Sequence, residues 1–63
     1  MRYIVTLTNK GHEFWLRGTT WAFHAERADM FDSIPQAQAA LQRAAKFMRP
    51  AMVKQVKIEQ VQS

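Results

Sequence analysis

Apolar and polar residues alternate at the start of the chain, with Ile4 as the one exception. Over residues 2–8 this alternation predicts a half-buried β-strand, with Tyr3, Val5 and Leu7 on the buried face and Ile4 on the other face. The following residues, 9–12, contain a glycine that adopts a positive φ at little cost, which predicts a hairpin loop. The chain is therefore expected to reverse after its first strand.

The alternation resumes over residues 13–17, where Phe14 and Leu16 point to one side and Trp15 to the other. A second turn is predicted at residues 18–20, followed by a short strand over residues 21–24 with Trp21 and Phe23 on one face. Residues 25–32 carry no clear periodicity and are expected to form a loop or short turn that ends in an extended piece at residues 30–31.

The most clearly delimited element is a helix predicted over residues 34–48. Ser33 and Gln36 have the spacing of a capping box, Pro35 falls in the first turn, and Pro50 disfavours helical geometry at the residue before it. Small and large apolar residues recur at steps of three and four along one face: Ala37, Ala40, Leu41, Ala44, Phe47 and Met48. Leu41, Phe47 and Met48 are the large side chains expected to pack on the sheet.

A final alternating segment, residues 53–61, predicts a fourth strand. The element order is then β-β-β-α-β. It predicts an α+β fold in which a small antiparallel sheet has one amphipathic helix packed on one face, with residues 1–63 forming a single domain.

Composition limits the chemistry. A chain of 63 residues buries enough apolar surface for one sheet face and one helix, and little remains for a deep substrate pocket. The absence of cysteine excludes thiolate zinc sites and cysteine nucleophiles. The one cluster of potential metal ligands, His24, Glu26 and Asp29, matches no zinc spacing. We therefore expect a non-enzymatic protein without a metal or other cofactor.

The net charge of +4 resides in the second half of the chain. Residues 1–33 carry equal numbers of cations and anions, whereas residues 34–63 carry five Lys and Arg residues and one Glu. The five cations are Arg43, Lys46, Arg49, Lys54 and Lys57. They are candidates for an electrostatic docking surface, or alternatively they complement the helix dipole and maintain solubility.

Trp15 and Arg17 are the candidate anchors of such a surface. Both are expected to face away from the helix, and Trp and Arg are enriched among the residues that dominate binding energy. Alternatively, Trp15 and Trp21 form a cross-strand pair that covers the outer face of the sheet.

The layout of the chain resembles that of small α+β accessory proteins of bacteriophages. The resemblance is carried by Tyr3-Ile4-Val5, Phe14-Trp15-Leu16, Trp21, Ala28-x-x-Phe31-x-Ser33 and Ala37-x-x-Ala40. It implies a protein that binds and disables host machinery, for example a CRISPR effector or a transcription protein. This chain departs from the acidic, DNA-mimicking inhibitors of that group because it is basic, and the resemblance assigns no functional residue.

Three functions are compatible with these features of the sequence. The first is a protein that inhibits a host protein or nucleoprotein complex by docking on its acidic surface. The second is a direct nucleic-acid binder, and the third is a homodimeric module that pairs through an exposed edge strand such as residues 2–8. No membrane partner is expected, and the expected location is the cytoplasm, that of the bacterial host if the chain is phage-encoded.

Overall fold

A computed structural model describes residues 2–61 and has the predicted α+β architecture. A four-stranded antiparallel sheet with strand order β3-β2-β1-β4 packs against one main helix. The elements are β1 (Arg2–Asn9), β2 (His12–Arg17), β3 (Thr20–Ala22), a single 3-10 turn (Ala25–Arg27), α1 (Ile34–Ala45), a one-turn helix α2 (Pro50–Val53) and β4 (Val56–Val61).

The first strand lies in the middle of the sheet, so the expectation that residues 2–8 form an exposed edge is wrong. β1 pairs with β2 on one side and with β4 on the other. The edges are instead β3 and β4, which come third and last in the chain. Antiparallel pairing between the first and last strands is a long-range contact that local alternation does not report.

Two tight turns connect the first three strands. Asn9 and His12 are paired, and the two residues between them, Lys10 and Gly11, both have positive φ (51° and 81°). This is the combination of a type I′ turn, whose twist matches that of the flanking strands. In the second turn only Gly18 has a positive φ, which is typical of a type II′ turn.

Replacing Lys10 by asparagine is expected to raise the free energy of unfolding by about 0.5 kcal/mol, since asparagine tolerates the left-handed conformation better than lysine. Urea unfolding followed by circular dichroism measures the change. Lys10→Ala removes the same charge but lacks the short polar side chain that hydrogen-bonds locally in the left-handed conformation, so it should give no gain. An equal gain in both variants would assign the effect to charge instead.

The segment between β3 and α1 is fastened to the sheet. Phe31 exchanges two backbone hydrogen bonds of 2.8 Å with Tyr3, beyond the point where β2 pairs with β1. The N–H of Asp29 donates to the carbonyl of Leu16 at 3.0 Å, and its carboxylate accepts from the N–H of Gly18 at 2.7 Å. The extended piece expected near residues 30–31 is therefore present, and Asp29 holds the β2–β3 turn.

Helix α1 begins as predicted and ends earlier. The Ser33 hydroxyl accepts from the N–H of Gln36 at 3.3 Å, while the Gln36 side-chain oxygen accepts from the N–H of Asp32 at 2.9 Å. The helix ends at Ala45 rather than Met48, because the next turn tightens to the 3-10 pattern, in which each N–H donates to the carbonyl three residues earlier. One such bond runs from the N–H of Phe47 to the carbonyl of Ala44.

The segment after α1 also differs from the sequence prediction. Arg49 is extended (φ −74°, ψ 147°), as a residue before proline prefers, and Pro50 then starts the short helix α2. Val53 belongs to this helix, so β4 begins at Val56 and not at residue 53.

The core lies between the sheet and one face of α1. Val5, Leu16, Ala37, Ala40 and Ala44 are buried together. Because three of these five side chains are alanine, the helix backbone can approach the strands closely. Half-buried apolar side chains complete the core: Tyr3, Trp21, Phe31, Leu41, Met48, Val56 and Ile58.

Candidate docking surface

Four of the predicted cations lie at the ends of the two helices. Arg43 is in the last turn of α1 and Lys46 caps it, while Arg49 precedes α2 and Lys54 caps its end. All four side chains are exposed, and no Asp or Glu occurs anywhere in residues 33–58. We call Arg43, Lys46, Arg49 and Lys54 the cationic surface. Its nearest acidic neighbours along the chain are Asp32 and Glu59.

Part of this charge stabilises the helix itself. Cations near a helix C-terminus interact favourably with the partial negative charge of the unpaired carbonyl groups, typically by about 0.3–1 kcal/mol. Arg43 and Lys46 are in that position. Arg49 lies at the N-terminal end of α2, where a cation has no such role, so helix stabilisation does not account for the whole cationic surface.

An exposed aromatic ring accompanies the cationic surface. Phe47 is 76% exposed, although the helical periodicity placed it in the core, so that expectation is wrong. The tightened turn after Ala45 changes the direction of the next side chains, and Met48 rather than Phe47 packs against the core. Pro50 is the stop signal in the sequence, but it is compatible with a helix that runs to Met48 and does not reveal the earlier end at Ala45.

The other predicted residues lie on the opposite face of the sheet. β4 alternates, so Lys57 points away from the face on which Val56 and Ile58 pack against the core. Lys57, Thr6, Trp15 and Ala22 form one row across the four strands. Lys57 and Trp15 thus lie on the uncovered face with Thr6 between them, and the sheet separates them from Arg43 and Lys46.

The two tryptophans are not a cross-strand pair. Trp21 is opposite Leu16 on the helix side, whereas Trp15 is opposite Thr6 and Ala22 on the uncovered side. The alternative in which they pair is therefore wrong. Trp15 is half-buried, and Thr6 beside it is only 2% exposed despite facing away from the helix. The indole N–H of Trp21 is buried without a hydrogen-bond partner in the described part of the chain.

A shallow cavity of about 410 Å³ lies at the β3 edge. Its lining consists of Arg17, Thr20, Ala22, Phe23, His24 and Arg27. Phe23 is 73% exposed and contacts Phe14 edge to face, with ring centroids 5.4 Å apart. The lining contains two guanidinium groups and no carboxylate, so its chemistry favours anions. From the sequence, Arg17 was a candidate anchor, His24 was considered only as a potential metal ligand, and Arg27 had no assigned role; His24 and Arg27 come from beyond the hairpin.

Across residues 2–61, no three His, Asp or Glu side chains are placed to hold a metal ion together. Within the same residues, no helix has the length and hydropathy needed to cross a bilayer. The chain matches no protein-family model, no curated protein and no solved structure.

Proposed function

We propose that this protein is a non-catalytic binding protein that docks on an acidic surface of a larger protein through the cationic surface and Phe47. The observation that carries the proposal is the exposed Phe47 ring in a segment, residues 43–54, that has four exposed cations and no carboxylate. An aromatic side chain left 76% exposed loses its contribution to folding, and such residues often act as binding anchors.

The charge pattern supports a macromolecular partner with matching negative charge. Complementary potentials accelerate encounter and fix the orientation of two proteins. The half of the chain that contains the helices carries the whole net charge of +4. The resemblance to bacteriophage accessory proteins extends the proposal: the partner is a host machine, such as a CRISPR effector or a transcription protein, that docking occludes.

A second candidate function is direct binding of single-stranded nucleic acid. Trp15 on the uncovered sheet face favours it, since bases stack on aromatic rings that a sheet presents between cations. Lys57 lies in the same row of the sheet, and Arg17 lies two residues along the same strand. This candidate uses the face opposite the helix, so variants can separate it from the first.

Affinity capture from bacterial lysate, with and without nuclease, tests the choice between these partners. The proposal requires a discrete protein that stays bound after nuclease treatment. Loss of all bound material on nuclease treatment, with release by moderate salt, would instead support nucleic-acid binding, whose affinity falls steeply with salt concentration. Absence of bound material under both conditions would contradict both functions.

Replacing Phe47 by alanine is expected to weaken binding of the captured partner by about tenfold or more, because an aromatic anchor is lost. The free energy of unfolding should change by less than about 0.5 kcal/mol, since the ring is exposed. Calorimetric titration and urea unfolding measure the two quantities.

Phe23→Ala is the matched control, since Phe23 is exposed to nearly the same degree (73%) but lies at the β3 edge. It should leave partner affinity unchanged. If Phe47→Ala binds as tightly as the unmodified protein, Phe47 is not an anchor and the proposed interface is wrong.

A further inference from the structure

The outer edge of β4 is the longer free edge of the sheet. β4 (Val56–Val61) pairs with β1 on one side only, and its sequence contains no proline or glycine to block further pairing. The opposite edge, β3, has three residues and ends where the chain bends at Phe23. An edge of six residues is long enough to add another strand, whereas β3 is too short to do so effectively.

The direction of the free backbone groups follows from the pairing of β1. Tyr3 exchanges both of its hydrogen bonds with Phe31, on the side of β1 away from β4. Backbone groups alternate along a strand, so Ile4 and Thr6 direct theirs towards β4, where they are opposite Glu59 and Lys57. The N–H and C=O groups of Val56, Ile58 and Gln60 therefore point to the open edge.

The side chains of this edge are self-complementary about Ile58. When a second copy of the strand pairs antiparallel with a two-fold axis at Ile58, Ile58 is opposite itself and Val56 is opposite Gln60. The backbone groups of Val56, Ile58 and Gln60 face outward, so the Ile58–Ile58 pair and each Val56–Gln60 pair exchange two hydrogen bonds. In the same register Lys57 of each copy is opposite Glu59 of the other, with their Cβ atoms about 4.5–5.5 Å apart.

The apolar side chains favour the same arrangement. Ile58 and Val56 lie on the helix side of β4 and remain half-buried because the strand is at the edge. A two-fold axis perpendicular to the sheet keeps both helices on the same side, so the two Ile58 side chains would extend one core into the next. A domain of 63 residues is marginal alone, and self-association is an ordinary way to add buried surface.

We infer that two copies of this chain associate by antiparallel pairing of β4 with β4 about Ile58, forming a continuous eight-stranded sheet. No residue of the cationic surface takes part in this contact, so the inference goes beyond the proposed function and does not depend on it. Two copies would present two cationic surfaces on the same side of one sheet.

The register predicts that Lys57 of each copy faces Glu59 of the other, so reversing one of these charges should weaken the dimer and reversing both should restore it. Lys57→Glu places glutamate opposite Glu59 of the other copy, and Glu59→Lys places lysine opposite Lys57. Each single variant is expected to raise the dimer dissociation constant about tenfold or more, since two attractive pairs become repulsive. The double variant Lys57→Glu, Glu59→Lys restores opposite charges and should return the dissociation constant to near its original value.

Sedimentation equilibrium of the full chain over a range of concentrations measures these constants, and circular dichroism checks that each variant is folded. Both side chains are exposed and are opposite uncharged residues within the chain, Thr6 and Ile4, so the fold should persist. A protein that remains monomeric up to about 1 mM would overturn the inference. If the double variant dimerises more weakly than either single variant, the proposed register is wrong.

A cross-linking experiment gives an independent test, because the chain contains no cysteine. Ile58→Cys places two thiols opposite each other at the two-fold axis, within the range of Cα separations that a disulfide spans. Oxidation should give a covalent dimer with this variant. Glu59→Cys is opposite Lys57 and should stay monomeric; efficient cross-linking of Glu59→Cys alone would contradict the proposed pairing.

Discussion

Reversal of charge at Arg43 and Lys46 together is expected to lower the affinity for the partner by about 100-fold or more. The two changes, Arg43→Glu and Lys46→Glu, remove two favourable contacts and bring like charges together across the interface, where the cost is several kcal/mol. A loss of about 3 kcal/mol corresponds to roughly 100-fold in the dissociation constant. Calorimetric titration against the captured partner measures the change.

The same variant is expected to lose some stability. Both residues lie at the C-terminal end of α1, where negative charge interacts unfavourably with the helix dipole, at a cost of about 1 kcal/mol in total. Arg43→Gln with Lys46→Gln avoids this cost and still removes the attraction. Retained affinity in both folded variants would rule out Arg43 and Lys46 as contacts.

A second pair of charge reversals, on another part of the surface, tests where the partner binds. Arg17→Glu with Arg27→Glu changes the net charge by the same amount, but these two residues line the cavity at the β3 edge. Partner affinity should then fall only through the general loss of positive charge, by a few-fold. A greater loss in this control pair than in the α1 pair would place the interface at the β3 edge instead.

Truncation of Leu16 to alanine is expected to destabilise the protein by about 3 kcal/mol, the largest stability effect foreseen for a single substitution. Leu16 is 0% exposed, belongs to the cluster formed with Val5 and the three buried alanines of α1, and has the half-buried Trp21 opposite it. Deletion of three buried carbon atoms from a leucine in such a position costs about 2–5 kcal/mol.

For a chain of this length, a loss of about 3 kcal/mol is a large fraction of the total free energy of unfolding. At about 0.05–0.15 kcal/mol per residue, the expected free energy of unfolding is roughly 3–9 kcal/mol. The variant should therefore unfold at a much lower urea concentration, or be partly unfolded in buffer, as circular dichroism will show. The matched control is Ile34→Ala, which deletes a similar group from a side chain that is 45% exposed, and should cost less than about 1 kcal/mol. Equal costs would contradict the described core.

Features fixed by neighbouring residues could be predicted from the sequence. The alternation around Val5 and Leu16, the positive φ of Gly11 and the Ser33 cap each depend on local geometry, and each is present. For the same reason the overall α+β arrangement was predictable, since one apolar helix face needs one apolar sheet face.

Features set by distant contacts were not predictable. The central position of β1 depends on pairing with β4, and nothing within residues 2–8 distinguishes a central strand from an edge. The pairing of Trp15 with Trp21 on one face stayed open as an alternative because the register between β2 and β3, which depends on the turn at Gly18, was unknown. Four of the predicted cations are exposed at the ends of the helices, but Phe47 was missed, since its exposure depends on the residue at which α1 stops.

Because β1 is hydrogen-bonded on both sides, hydrogen exchange of its amides reports which side of the sheet opens. Its amide hydrogens alternate in direction: those of Tyr3 and Leu7 are held on the side of Phe31 and β2, and those of Ile4 and Thr6 on the side of β4. Detachment of β4 alone would accelerate hydrogen–deuterium exchange at Ile4 and Thr6 while Leu7 stays protected. Neighbouring amides of a single strand thus distinguish partial opening at the end of the chain from unfolding of the whole domain.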